Sequence, residues 1–149
     1  MKSLETTVDI DAPAIVVWNV LTDFASYRRD GWNSYITSIE ATLERGRRVT
    51  AVTKSPLLPQ RDLKARIVSG QFPELIWEAK LPVPGIIHAT HYFRIEPTSE
   101  LTSRFVQGET LTGLLAAAMF PLVEKSEPGF VILNQALKQR AEARVHRPA

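Results

Sequence analysis

The chain has 149 residues, 44% of them hydrophobic and 23% charged, with 18 basic against 16 acidic side chains and no cysteine. Length and balance fit one soluble α+β domain, residues 1–149, large enough to bury a core. A net charge of +2 argues against nucleic acid as a partner, and the absence of cysteine excludes disulfides, thiolate nucleophiles and thiolate metal sites.

Residues 3–10 alternate, with Leu4, Thr6, Val8 and Ile10 on one face, which predicts a half-buried first strand. Asp11-Ala12-Pro13 then opens a helical turn through Ile15, Trp18 and Leu21, and a second turn through Phe24 and Tyr27 ends before Gly31. Six more strands are predicted. Tyr35 to Leu43 comes first, and the Glu44-Arg45-Gly46-Arg47 turn leads into a strand through Val49, Ala51 and Thr53. The next carries Leu63, Ala65 and Ile67, and its successor Leu75, Trp77, Ala79 and Leu81. The last two run from Ile87 to Ile95 and from Leu101 to Leu111. Short connections favour an antiparallel meander.

The end of the chain is helical in pattern. Phe130, Leu133, Asn134, Leu137, Ala141 and Val145 recur at spacings of three and four. Pro121 and the Glu127-Pro128-Gly129 corner predict a short apolar helix, a break, and then a long helix. No leader pattern occupies the N-terminus and no apolar run approaches the length of a membrane span, so a cytoplasmic protein without an integral membrane segment is expected.

This order resembles the helix-grip fold of the START/polyketide cyclase superfamily (SRPBCC), which includes the pollen-allergen-like proteins. The resemblance is carried by Ile10-Asp11-Ala12-Pro13 with Val17-Trp18 and Asp23, and by Gly31-Trp32-Asn33-Ser34-Tyr35. His91 to Ile95, Thr102 to Leu115 and Asn134 to Lys138 add to it. Two positions depart from the pattern: Ser34 stands where proline is common, and Gln107 where a histidine often precedes the glutamate. The resemblance implies a seven-stranded curved antiparallel sheet wrapped around a long C-terminal helix, with two short helices after the first strand. It also implies a cavity for a hydrophobic small molecule, in some members a site of cyclisation or dehydration.

Alternation assigns the wall of that cavity. Trp77, Phe93, Phe105, Gln107, His91 and Glu109 share the inward phase, and the helix presents Phe130, Asn134 and Leu137. Trp32 and Tyr35, at the corner between helix and strand, are candidates for ligand contact at the pocket rim, with a place in the core as the alternative. Apolar lining with a few convergent polar groups is the usual build of a ligand site. His91 and Glu109 are the candidate catalytic pair, as general base and acid for enolisation, aldol closure or loss of water. Each has a structural alternative, His91 as a hydrogen-bonded core residue and Glu109 as a cap for the helix near Thr112-Gly113. Leu57-Leu58, Val83 and Ala116 to Phe120 are candidates for an apolar rim at the entrance. No metal or other cofactor is expected: no glycine-rich phosphate loop appears, and the spacing of His88 and His91 puts their rings on opposite faces of a strand.

Overall fold

The computed structural model describes residues 1–80 and 83–146. The elements are β1 (Lys2–Ile10), α1 (Ala14–Thr22), α2 (Phe24–Asp30), β2 (Ile36–Glu40), β3 (Arg48–Thr53) and β4 (Arg61–Gln71). They are followed by β5 (Glu74–Lys80), β6 (His88–Pro97), β7 (Ser103–Thr112) and α3 (Ala116–Val145). The seven strands form one antiparallel sheet in the order β1-β7-β6-β5-β4-β3-β2. This is the helix-grip arrangement, with α3 held by the curled sheet.

The grip is built from side-chain phase. On α3, Phe130, Leu133, Leu137 and Ala141 are fully buried against Ile10, Phe93, Ile95, Phe105 and other core residues. Each large apolar side chain removed from water in this way contributes roughly 1.5–3 kcal/mol. α1 packs Val17, Trp18, Val20 and Leu21 into the same core, and α2 adds Tyr27. Gly31 ends α2 in the left-handed conformation, with φ of 59°, and donates its N–H to the Tyr27 carbonyl.

Several expectations change. α3 is continuous from Ala116 to Val145, with Pro121 and Pro128 inside it, so the predicted break at Glu127-Pro128-Gly129 is absent. Proline removes one backbone donor per position, and a long helix packed along its length tolerates that loss. The second strand is shorter than predicted, Ile36–Glu40, and within it the register with β3 shifts between Ile36 and Ser38. Leu101 is 67% exposed and lies in the turn before β7, since the strand begins only at Ser103. The expected inward Leu81 falls outside the described residues.

Candidate functional site

Three rows of side chains run across the inner face of β5, β6 and β7. The first holds Leu75, Phe93 and Gln107, the second Trp77, His91 and Glu109, the third Ala79, Ala89 and Leu111. The first row is filled by its own bulk. Phe93 stacks on Phe105 at 6.1 Å between ring centroids and meets Trp77 edge-on at 5.0 Å. The third row carries two alanines, and this is the sequence reason for open space there. A deep cavity of about 50 Å³ lies over the second row, lined by Tyr35, Ile36, Thr53, Arg61, Leu63, Trp77, Ala79, Ala89, His91 and Glu109. An outer cleft of about 260 Å³ adjoins it over the third row. Arg61, Ala79, Ala89 and Glu109 line both spaces, and Ile87, Leu111, Met119, Leu122 and Val123 wall the outer one. The deep part has room for about one or two waters; the outer part suits a small apolar group.

His91 is 7% exposed and enclosed by aromatic rings, with Phe93 at 4.6 Å, Phe130 at 4.9 Å and Trp77 at 5.6 Å. Its hydrogen-bond partner is Gln107, although Glu109 is its direct neighbour in register. The amide group of Gln107 donates to the Phe130 carbonyl at 3.2 Å and to Asn134 Oδ1 at 2.9 Å. Its oxygen therefore faces the imidazole, and His91 Nε2 donates to it at 3.0 Å. Asn134 Nδ2 donates in turn to Thr6 Oγ1 at 2.9 Å. This chain from β6 through β7 and α3 to β1 fixes the tautomer: Nδ1 keeps the lone pair, on a ring that lines the deep cavity. Burial pulls the imidazole down to about 4, against the upward effect of the Gln107 hydrogen bond.

Glu109 behaves in the opposite sense. Burial pushes its carboxyl up to about 7, and the positive charge of Arg61 works against that rise. Near neutral pH it is thus shared between acid and carboxylate. Tyr35, also at the cavity, is held above the ordinary phenol range by burial first and by the charge of Glu109 second, with Arg61 again opposing. Asn33 sets the position of Tyr35, since its side-chain oxygen accepts from the N–H groups of Tyr35 and Ile36 at 2.9 and 3.1 Å. A neutral imidazole, a carboxyl raised toward neutrality, a phenol and a guanidinium face one space.

Of the residues expected at the wall, Tyr35, Trp77, His91 and Glu109 meet at the deep cavity. Phe93, Phe105, Phe130 and Leu137 pack in the core behind it, and Gln107 and Asn134 form the buried amide chain. Trp32 lies elsewhere. Its indole N–H donates to Ser26 Oγ, its ring meets Tyr27 edge-on, and the Arg140 guanidinium sits 5.4 Å from the ring centroid. Arg61 was missed, yet it shares the phase of Leu63, Ala65 and Ile67, and extending that strand by one alternate residue finds it. Of the residues expected at an apolar rim, Met119 lines the outer cleft, while Leu57 and Val83 are exposed, at 62% and 60%, and line neither space. Ser55 Oγ ties the Leu57 turn to α3 by donating to the Lys125 carbonyl at 2.9 Å. His88 faces outward and meets Glu78 at 2.8 Å. Among the described residues no helix is long and apolar enough to cross a membrane.

Comparison with curated protein sequences gives no match. Among solved structures, the chain is similar to the ZhuI aromatase/cyclase of a Streptomyces species, with TM-score 0.72 and 21% identity over 98% of this chain and 96% of that one. It is also similar to a START superfamily protein from Mycobacterium smegmatis, with TM-score 0.68 and 14% identity over 95% and 98% of the two chains. Norcoclaurine synthase from Thalictrum flavum follows at TM-score 0.69 and 9% identity, over 97% and 96%. These likenesses are of fold. Residues 1–142 match the family described as polyketide cyclase / dehydrase and lipid transport. With the sheet, the gripped helix and the intervening cleft all in place, the chain belongs to that polyketide cyclase / dehydrase and lipid transport family.

Proposed function

We propose that the protein binds a hydrophobic small molecule, polyketide-like, aromatic or lipid-like, in the cleft between the sheet and the N-terminal half of α3. The observation that carries this reading is the row of small residues, Ala79 and Ala89, which opens an apolar cleft directly onto Glu109 and Arg61. Family membership supports it, as does Leu122, a leucine of the cleft wall left 41% exposed. Native mass spectrometry of the protein purified from its own source tests it, by weighing what the cleft retains. The variant Ala89→Leu, which fills the cleft from one wall, loses that ligand while keeping its fold by circular dichroism. Retention of the same mass by Ala89→Leu would refute the reading.

A second reading is that the bound molecule is also turned over, by a cyclase or dehydratase reaction using His91 and Glu109. It is favoured by the ionisation of Glu109 near 7, where a proton carrier works best, whereas His91 at about 4 is a weak base. The Glu109 carboxylate takes a proton from the carbon between two carbonyls, and Arg61 stabilises the enolate oxygen. The enolate carbon bonds to a second carbonyl carbon of the chain, and the alkoxide formed takes the proton back from Glu109. His91 Nδ1 accepts a hydrogen bond from the new hydroxyl. Glu109→Gln is expected to lower closure of a linear poly-β-keto thioester analogue by about a hundredfold or more. Unchanged turnover in His91→Ala removes His91 from the scheme, and in Glu109→Gln removes the scheme itself.

A further inference from the structure

The β4–β5 ladder ends at the pair Arg66 and Glu78, although β4 begins at Arg61 and β5 runs on to Lys80. Arg61 to Ala65 are laddered to β3 alone. Beside this split the outer face of the sheet carries a groove of about 820 Å³, lined by Arg48, Lys64, Arg66, Glu78, Ala79 and Lys80 with their neighbours. Four of these are cations. Arg48 and Arg66 are direct cross-strand partners, an arrangement of like charges that costs stability when nothing lies between them. Among the described residues no ion pair engages Arg48, Lys64, Arg66 or Lys80; Arg66 donates only to the Gly46 carbonyl, at 3.0 Å. The carboxylate in the groove, Glu78, is taken up by His88 at 2.8 Å. Asp62, on the same face of β4, lines the neighbouring hollow with Arg28.

The groove and the cleft share two lining residues. Ala79 and Lys80 line both, and Ala79 also lines the deep cavity. Ala79 carries only a methyl group, and among the described residues it has no ladder partner on β4. We infer that the ligand of the cleft is amphipathic and anionic at one end: its apolar part lies under α3, and its phosphate monoester or carboxylate crosses the β4–β5 split to Lys80, Lys64, Arg66 and Arg48. This rests on the reading of the cleft as a ligand site and adds the chemical class of the ligand. Four cations against the single carboxylate of Glu78, beside one end of an apolar space, provide charge-assisted hydrogen bonds for an anionic head.

The test compares dodecyl phosphate with 1-dodecanol, both below micelle-forming concentration, by quenching of tryptophan fluorescence, since Trp77 lines the deep cavity. Dodecyl phosphate is expected to bind about tenfold more tightly at low salt, with the preference shrinking as salt is added. Arg48→Gln combined with Lys64→Gln, both in the groove and outside the cleft, removes the preference and leaves dodecanol binding unchanged, with the fold checked by circular dichroism. Equal affinity for the two probes, or a preference that survives the double variant, overturns the inference while dodecanol binding sustains the cleft. Binding of neither probe overturns both. A second arm uses phosphatidylcholine vesicles containing phosphatidic acid. Phosphatidic acid carried away from the vesicles identifies a membrane lipid as the source of the head group. Dodecyl phosphate bound without such extraction identifies a soluble metabolite.

Discussion

The ring of Tyr35 lies against the backbone of Gly129, in the space that a side chain at position 129 would occupy. A glycine in the middle of a helix ordinarily costs about 1 kcal/mol relative to alanine. Here the missing side chain lets a strand residue reach the helix and brings Tyr35 to the cavity. Gly129→Ala is therefore expected to destabilise, by about 1–3 kcal/mol, against the usual sign of that substitution in a helix. Denaturant midpoints measure it. In the Tyr35→Ala background the same change becomes neutral or stabilising, and equal effects in the two backgrounds would refute the packing argument.

His91 and Glu109 shift in opposite directions, and their contributions to stability against pH oppose each other. Folding lowers the His91 value from 6.5 to about 4, so this group makes the protein more stable as pH rises from 4 to 6.5. Folding raises the Glu109 value from 4.5 to about 7, so this group makes it less stable as pH rises from 4.5 to 7. Each effect amounts to about 3 kcal/mol across its window, and between pH 4.5 and 6.5 they largely cancel. Glu109→Gln should gain stability with rising pH over that interval, and His91→Phe should lose it. Two variants with parallel profiles would contradict the assignment.

Gln107 presents a neutral acceptor to His91. Gln107→Glu replaces it with a charged one, which favours the imidazolium, and the His91 value is expected to rise by about one to two units. NMR titration of the ring carbons and nitrogens reads the shift. Gln107→Leu instead strands the imidazole N–H, the Phe130 carbonyl and Asn134 together, at about 2–4 kcal/mol. An unchanged histidine titration in Gln107→Glu would show that the tautomer is fixed by something else.

The architecture was legible because each strand exposes its phase in the sequence. Leu4 to Ile10, Val49 to Thr53 and Leu75 to Ala79 all point as alternation predicts. The site was legible only to its outline. Alternation says that His91, Gln107 and Glu109 face inward, but it carries no information on which of them touch. The carboxyl of Glu109 and the amide of Gln107 sit two residues apart on one face, and only the placement of α3 selects Gln107 for the imidazole, through Asn134 and the Phe130 carbonyl. The split between β4 and β5 is silent in sequence for a related reason, since laddered and unladdered strands have the same side-chain alternation. The continuity of α3 through Pro128 is likewise a tertiary result, in which packing outweighs a local breaker.

Pro128 divides α3 into halves with separate duties. Beyond it, Phe130 to Ala141 supply the apolar stripe and the amide chain that hold the sheet in its curl. Before it, Met119, Leu122, Val123 and Ser126 border the cleft and take little part in that assembly. Substitutions in the leading half can thus reshape what the protein accepts without unsettling its foundation, so new preferences are open to selection at positions where foldedness exerts the weakest veto.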